Sequence, residues 1–302
     1  MFKNSSGQVR SGWLILVAFI VMLFAQSIFM IPGMLIFDLI KDASELNSSD
    51  LDIMLAFDQY PWIVLLVQGG GTIGAICVTL LLWRYLNKGT IKELGFRGSL
   101  KDLGFGLFLG AMSITIITFI LMISRNVTLM NSFSEPEFTV YALTFLILFI
   151  LVGIFEEMFF RGYVMATIAS RGNQKWLIYV VSALFFSFVH GTNPNVSVLG
   201  LINIALVGIL FAYMFDVTNS LWLPIGYHIT WNYFQGNVFG FAVSGTTPYG
   251  IYNVDVTIGN ELLTGGSFGL EGGLLATLLI IFGFLATRYY AERKGYHDQI
   301  CE

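Results

Sequence analysis

Charge is scarce along the 302 residues. Only 11% are Asp, Glu, Lys or Arg, while 56% are hydrophobic. A soluble domain carries about 25% charged residues. The deficit runs the whole length, which excludes a soluble globular domain and leaves a polytopic membrane protein, one integral membrane domain over 1–302. There are two cysteines, Cys77 in an apolar run and Cys301 in the tail; these exclude a disulfide framework and a thiolate metal cluster. Of three histidines, His297 lies in the polar tail and is read as solvated. No basic stripe or reader motif is present, so no nucleic-acid partner is expected. The net charge of −4 says little, because a membrane protein's charge is read loop by loop. Neither GxSxG nor HExxH occurs, so the usual soluble hydrolase nucleophile and the helical zinc pair are missing. No internal repeat is evident.

What the chain has is long apolar runs. A membrane span needs about 20 apolar residues. Eight such runs predict eight transmembrane helices, at about 13–37, 62–86, 103–123, 138–168, 176–191, 197–216, 219–241 and 268–290. The fold class is therefore all-α, a polytopic membrane helix bundle. The first run, Trp13 to about Leu39, is too long for a signal-peptide core and lacks a small-residue cleavage site, so it reads as a retained span. Ser134 with Glu137 three residues on predicts a capping box for the fourth span, with Pro136 in its first turn. Pro224 predicts a kink in the seventh. The segments 40–61 and 242–267 read as long polar loops.

Basic residues alternate in step with eight spans. Lys3, Arg10, Arg84, Lys88, Lys92, Arg97, Lys101, Arg171, Lys175, Arg288, Arg293 and Lys294 fall on one side. The other keeps Lys41 and Arg125 and carries Asp42, Glu45, Asp50, Asp52, Asp58, Glu135, Glu137, Asp255 and Glu261. The positive-inside rule then puts both termini in the cytoplasm.

Against this background, Phe155-Glu156-Glu157-Met158-Phe159-Phe160-Arg161-Gly162 sets three charges inside an apolar run. A charge at membrane depth costs about 2.5–3.5 kcal/mol on insertion scales. Glu157 and Arg161 are four apart and share a helix face, so they can form a buried ion pair. Glu156 points about 100° away and needs another partner. His190 ends the fifth span. Glu156 and His190 each lie 15 residues from the short connection Arg171–Lys175, which makes them level if the two helices form a hairpin, about 22 Å from it. His228 and Asn232 share a face of the seventh span at comparable depth. Alone, each polar residue reads as interhelical hydrogen-bonding glue. Together, a carboxylate and histidines can activate water, directly or through a metal, and a histidine with an amide can donate to an oxyanion. Glu156, His190 and His228 could equally ligate zinc; the residues alone do not separate the two.

Glu156-Glu157-x-x-x-Arg161, Phe186-x-x-x-His190 and His228-x-x-x-Asn232, in that order on separate spans, resemble the CPBP family. It comprises the type II CAAX prenyl endopeptidases and the bacterial abortive-infection (Abi) or bacteriocin-immunity proteins. Lys92-Glu93-Leu94-Gly95-Phe96-Arg97 is similar to a loop common in that family. The motif region, the expected catalytic core, is 138–235. The resemblance implies an intramembrane endopeptidase of about eight helices, with its site opening toward the cytoplasm. It implies Glu156 and His190 as the water-activating pair, His228 and Asn232 as the oxyanion side, and Glu157 and Arg161 as structural support. Both a zinc-dependent and a metal-free mechanism belong to the family's description; no cofactor is favoured here, and zinc stays open. The expected partners are a peptide or membrane-protein substrate and the lipid bilayer, in a bacterial cell membrane. Cleavage of prenylated substrates is not carried over. The alternatives are a non-catalytic immunity or partner-binding protein of the same fold and a proton-coupled transporter.

Overall fold

The structure is a computed structural model that describes residues 2–4, 6–43, 60–246, 248–257 and 259–296. Most of loop 40–61, with Glu45, Asp50, Asp52 and Asp58, lies outside the described residues, as do His297 and Cys301. Eight helical segments traverse the molecule. They are α1 (Ser11–Ala43), α2 (Pro61–Tyr85), α3 (Leu100–Ile123), α4 (Val140–Ala169), α5 (Lys175–Val189), α6 (Val198–Thr218), α7 (Trp222–Tyr233, prolonged by a π-helical turn, Phe234–Val238) and α8 (Leu274–Lys294). Seven are long and apolar enough to cross a membrane. The exception is α7, shorter than the expected 219–241 and buried along most of its length. The chain is a multi-pass membrane protein of the all-α class.

Hydrogen bonds at each end of the bundle fix the alternation. At the terminal face, Arg171 donates to Val9 O, Arg97 to Asn219, and Tyr290 and Tyr296 to Asp102. At the opposite face, Asn131 donates to Ile251 O and Asn260 to Asn126. A two-stranded antiparallel sheet, β1 (Val127–Leu129) on β2 (Val254–Val256), caps that face. Segment 242–267, expected as a plain loop, thus folds against the bundle.

Several local expectations change. The capping box falls on Ser99, whose hydroxyl accepts from Lys101 N while Asp102 accepts from Ser99 N at the start of α3. Helix α4 begins at Val140 behind Thr139, so Ser134, Pro136 and Glu137 lie outside it. The sheet region claims that segment: Glu137 N donates to Ile251 O and Glu137 Oε2 accepts from Asn253. Pro224 does not kink a span. With α7 starting at Trp222, it sits in the first turn, where a backbone N–H has no partner within the helix.

Two contacts set the frame of the site. Helices α3 and α7 cross backbone to backbone at Gly106, Gly110 and Gly226. A Cβ on Gly106 would collide with the Leu223 carbonyl, and one on Gly226 with the Leu103 carbonyl. Small residues four apart allow this approach in a bilayer, and Thr230 Oγ1 locks it by donating to Leu107 O (2.8 Å). Helices α4 and α5 form the expected hairpin. Ser182 Oγ donates to Phe160 O (2.9 Å), and the Phe160 and Phe186 rings meet edge to face at 5.1 Å. That register sets Glu156 level with His190.

Candidate active site

The Glu156–Glu157 pair ends the α-helical part of α4, and a π-helical stretch, Met158–Met165, follows at once. Two more π segments are Leu65–Gly69 in α2 and the end of α7. Gln68 of the first lines the same cavity as Glu156, and the last follows Asn232 by two residues. π-bulges appear mostly at functional sites, because they re-aim side chains out of helical phase.

Glu157 and Arg161 pair as the spacing predicts, Nη1 to Oε1 at 3.1 Å, both fully buried. The guanidinium also donates to Gly208 O (3.3 Å). It lies over the rings of Phe186 and Phe211, 4.4 and 5.1 Å from their centroids, so cation–π attraction adds to the ion pair. The same Glu157 oxygen accepts from His228 Nδ1 at 2.9 Å. The other nitrogen, Nε2, is 3.7 Å from Glu156 Oε2. A chain of contacts, Arg161–Glu157–His228–Glu156, therefore ties α4 to α7. The sequence reading had kept His228 and Glu157 apart.

His190 lies in the 3-10 turn His190–Thr192 that ends the fifth span. Its Nδ1 lies 2.8 Å from Phe186 O. A carbonyl only accepts, so Nδ1 carries the proton and neutral Nε2 keeps a lone pair. Asn232 is half-buried, one turn beyond His228.

Glu156, His190, His228 and Asn232 all line one cavity of about 380 Å³, whereas Glu157 and Arg161 stand behind its wall. Glu156 Oε2 is buried and has no hydrogen-bond partner among the described residues. No three His, Cys, Asp or Glu side chains among the described residues stand close enough together to hold a metal ion.

The lining also includes Asn193, Pro194, Ser244, Thr246 and Glu271, all from connections on the face away from the termini. Pro194 and Thr246 are exposed and mark the mouth. Two expectations, cytoplasmic termini and a site opening toward the cytoplasm, therefore do not hold together: the mouth and the termini are on opposite faces. Glu271 is a wall residue that the reading of the spans missed. It falls in the glycine-rich run, inside the expected eighth span 268–290 but ahead of α8, which starts at Leu274, and the one signal was a lone carboxylate among glycines. It is 8% exposed. Burial pushes its carboxyl up to about 7, against hydrogen bonds from Gln235 and Ser244 that act to lower it.

Residues 136–234 match the family model described as type II CAAX prenyl endopeptidase Rce1-like. No curated protein and no solved structure matches the chain. Over this segment, about a third of the chain, which holds Glu156, His190 and Asn232, the chain is similar to that family of intramembrane endopeptidases.

Proposed function

We propose that the protein is an intramembrane endopeptidase that hydrolyses a peptide bond with water activated by Glu156 and His190. The observation that carries this reading is the convergence of Glu156, His190, His228 and Asn232, from three helices, on one cavity. The Glu156 side chain is part exposed and lines the cavity, and His190 Nε2 is the basic nitrogen of its ring. Either accepts a proton from a water between them, the requirement for a general base. The water oxygen then bonds to the carbonyl carbon, and the negative charge moves to the carbonyl oxygen. Asn232 and His228 face that charge from α7. With Nδ1 committed to Glu157, His228 donates through Nε2 when the ring is protonated, and Glu156, Glu157 and Arg161 then leave the group of four charges balanced. As the C–N bond breaks, the proton held by Glu156 or His190 passes to the leaving nitrogen. Glu157 and Arg161 hold His228 in place.

The metal-free form of this mechanism is favoured because His228 gives Nδ1 to Glu157 and no three His, Cys, Asp or Glu side chains among the described residues stand close enough to hold a metal ion. The terminal face carries nearly all the Lys and Arg side chains, so we place it in the cytoplasm and the mouth of the cavity on the far side. The test is cleavage of peptides by purified protein, with products identified by mass. Wild type should cut at defined bonds. A Glu156→Gln variant that is folded and cuts at the wild-type rate removes the proposal.

A further inference from the structure

The cavity holds a second carboxylate for which the hydrolytic step has no use. Glu271 lies just before α8, held to α6 through Asn203 and to the π-helical end of α7 through Gln235. Gln235 Nε2 donates to its Oε2, and Ser244 Oγ donates to its Oε1 at 3.3 Å. Its backbone carbonyl accepts from Asn203 at 2.7 Å. The backbone N–H groups of Ser244 and of Glu271 itself add to these two side-chain donors, and the carboxylate still lines the cavity. Ser244 holds its hydroxyl there from a left-handed backbone, φ 46°, a conformation that serine rarely adopts and that recurs at ligand-holding sites.

Pinning segment 242–244 to α7 needs hydrogen bonds but no charge, since a glutamine could accept from Gln235 through its oxygen and donate to the Ser244 hydroxyl through its amide nitrogen. The surplus is the charge, for which no Lys or Arg among the described residues is a partner. Among the described residues Glu271 has no ion pair, and no Lys or Arg lines the cavity. Arg161 is behind the wall and occupied by Glu157. A buried carboxylate without a cation is costly, and a cation brought by a ligand removes that cost. An ammonium or guanidinium would also donate to the carboxylate oxygens. The approach is of matching sign: the face around the mouth bears Glu135, Glu137, Asp255 and Glu261 against Arg125. A ligand's free carboxylate, by contrast, would meet two carboxylates and no Lys or Arg side chain.

We propose that Glu271 is a specificity-determining residue that receives a lysine or arginine side chain of the polypeptide bound beside Glu156. The site would thus select basic segments presented at the face away from the termini. This rests on the endopeptidase reading for its substrate, and the test separates the two. Short apolar peptides carrying lysine at successive positions are each paired with a norleucine twin. Binding to the full-length protein in detergent is measured together with cleavage. At the best position the lysine peptide should bind about 30-fold more tightly than its twin, the scale for one partner of a buried charge pair. Glu271→Gln should remove that preference, and Glu271→Asp should retain part of it. A merely structural role would lower both affinities alike. Equal binding of the twins to wild type, or no binding of either, overturns the proposal whatever the cleavage. A lysine preference without any cleavage supports Glu271 as a cation receptor and overturns the endopeptidase reading instead. Because the wild-type comparison decides alone, failure of Glu271→Gln to fold does not rescue the idea.

Discussion

Glu156 and Glu157 are adjacent in the chain, yet one faces a cavity and the other a guanidinium. Helical geometry separates them by about 100°, and everything else follows from what occupies each direction. Glu157 accepts from Arg161 and His228. Removing Arg161 strands a carboxylate and a histidine in a fully buried place. Arg161→Ala should therefore cost about 3–5 kcal/mol of stability, seen as earlier melting in detergent; wild-type melting with lost activity would show that the pair acts in chemistry instead. Asn232→Ala leaves no charge unpaired. It should lower kcat by about 10²–10³ with little change in KM, as for an oxyanion donor, and a rise in KM alone would make it a substrate-positioning group. Glu271 adds a pH signature. Its folded carboxyl titrates at about 7 against 4.5 for the free group. Between those values the folded state binds more protons than the unfolded one, so this group's contribution to stability falls as pH rises through that window. Melting temperatures of wild type and Glu271→Gln across the window should diverge with rising pH, the variant holding its stability better; parallel curves would contradict this.

At the scale of elements, the crossing of α3 and α7 holds His228 and Asn232 at depth. Gly106 does not line the cavity, but a side chain there would press on the Leu223 carbonyl. Gly106→Val should destabilise by roughly 1–3 kcal/mol, the usual overpacking cost, and displace α7 enough to reduce turnover; a variant with wild-type melting and turnover would show that the crossing is not what holds the site. Apolar runs made the spans legible, and four-residue spacing made Glu157–Arg161 and His228–Asn232 legible. The hairpin arithmetic placed Glu156 level with His190 because a five-residue connection leaves little freedom. The start of α4 was misread because the capping-box pattern at Ser134 is local, whereas partners in segment 251–253, distant in sequence, claim those residues. The π segments have no compositional mark: one residue too many in a helix is visible only once the hydrogen bonds are drawn. Glu271 escaped because its burial is made by a loop folding back, which no periodicity announces.

At the scale of the whole molecule, eight traversing segments bring both termini to one face and the mouth of the cavity to the other. Nearly all the basic residues fall on the terminal face; in the proposed orientation, with that face in the cytoplasm, substrate would arrive from the opposite side. Metal independence is a property of the assembled site and is tested on the intact protein. Dialysis against a strong chelator should leave hydrolysis unchanged. Elemental analysis that finds about one zinc per chain, lost together with activity in His190→Ala, would replace the metal-free mechanism. The most direct measurement joins chemistry to fold in one variant: turnover and melting temperature of Glu156→Gln beside wild type. The account predicts that hydrolysis is abolished while melting is unchanged, because Glu156 faces the cavity and Glu157 carries the structural pair. Turnover near the wild-type rate in a folded Glu156→Gln protein would contradict it.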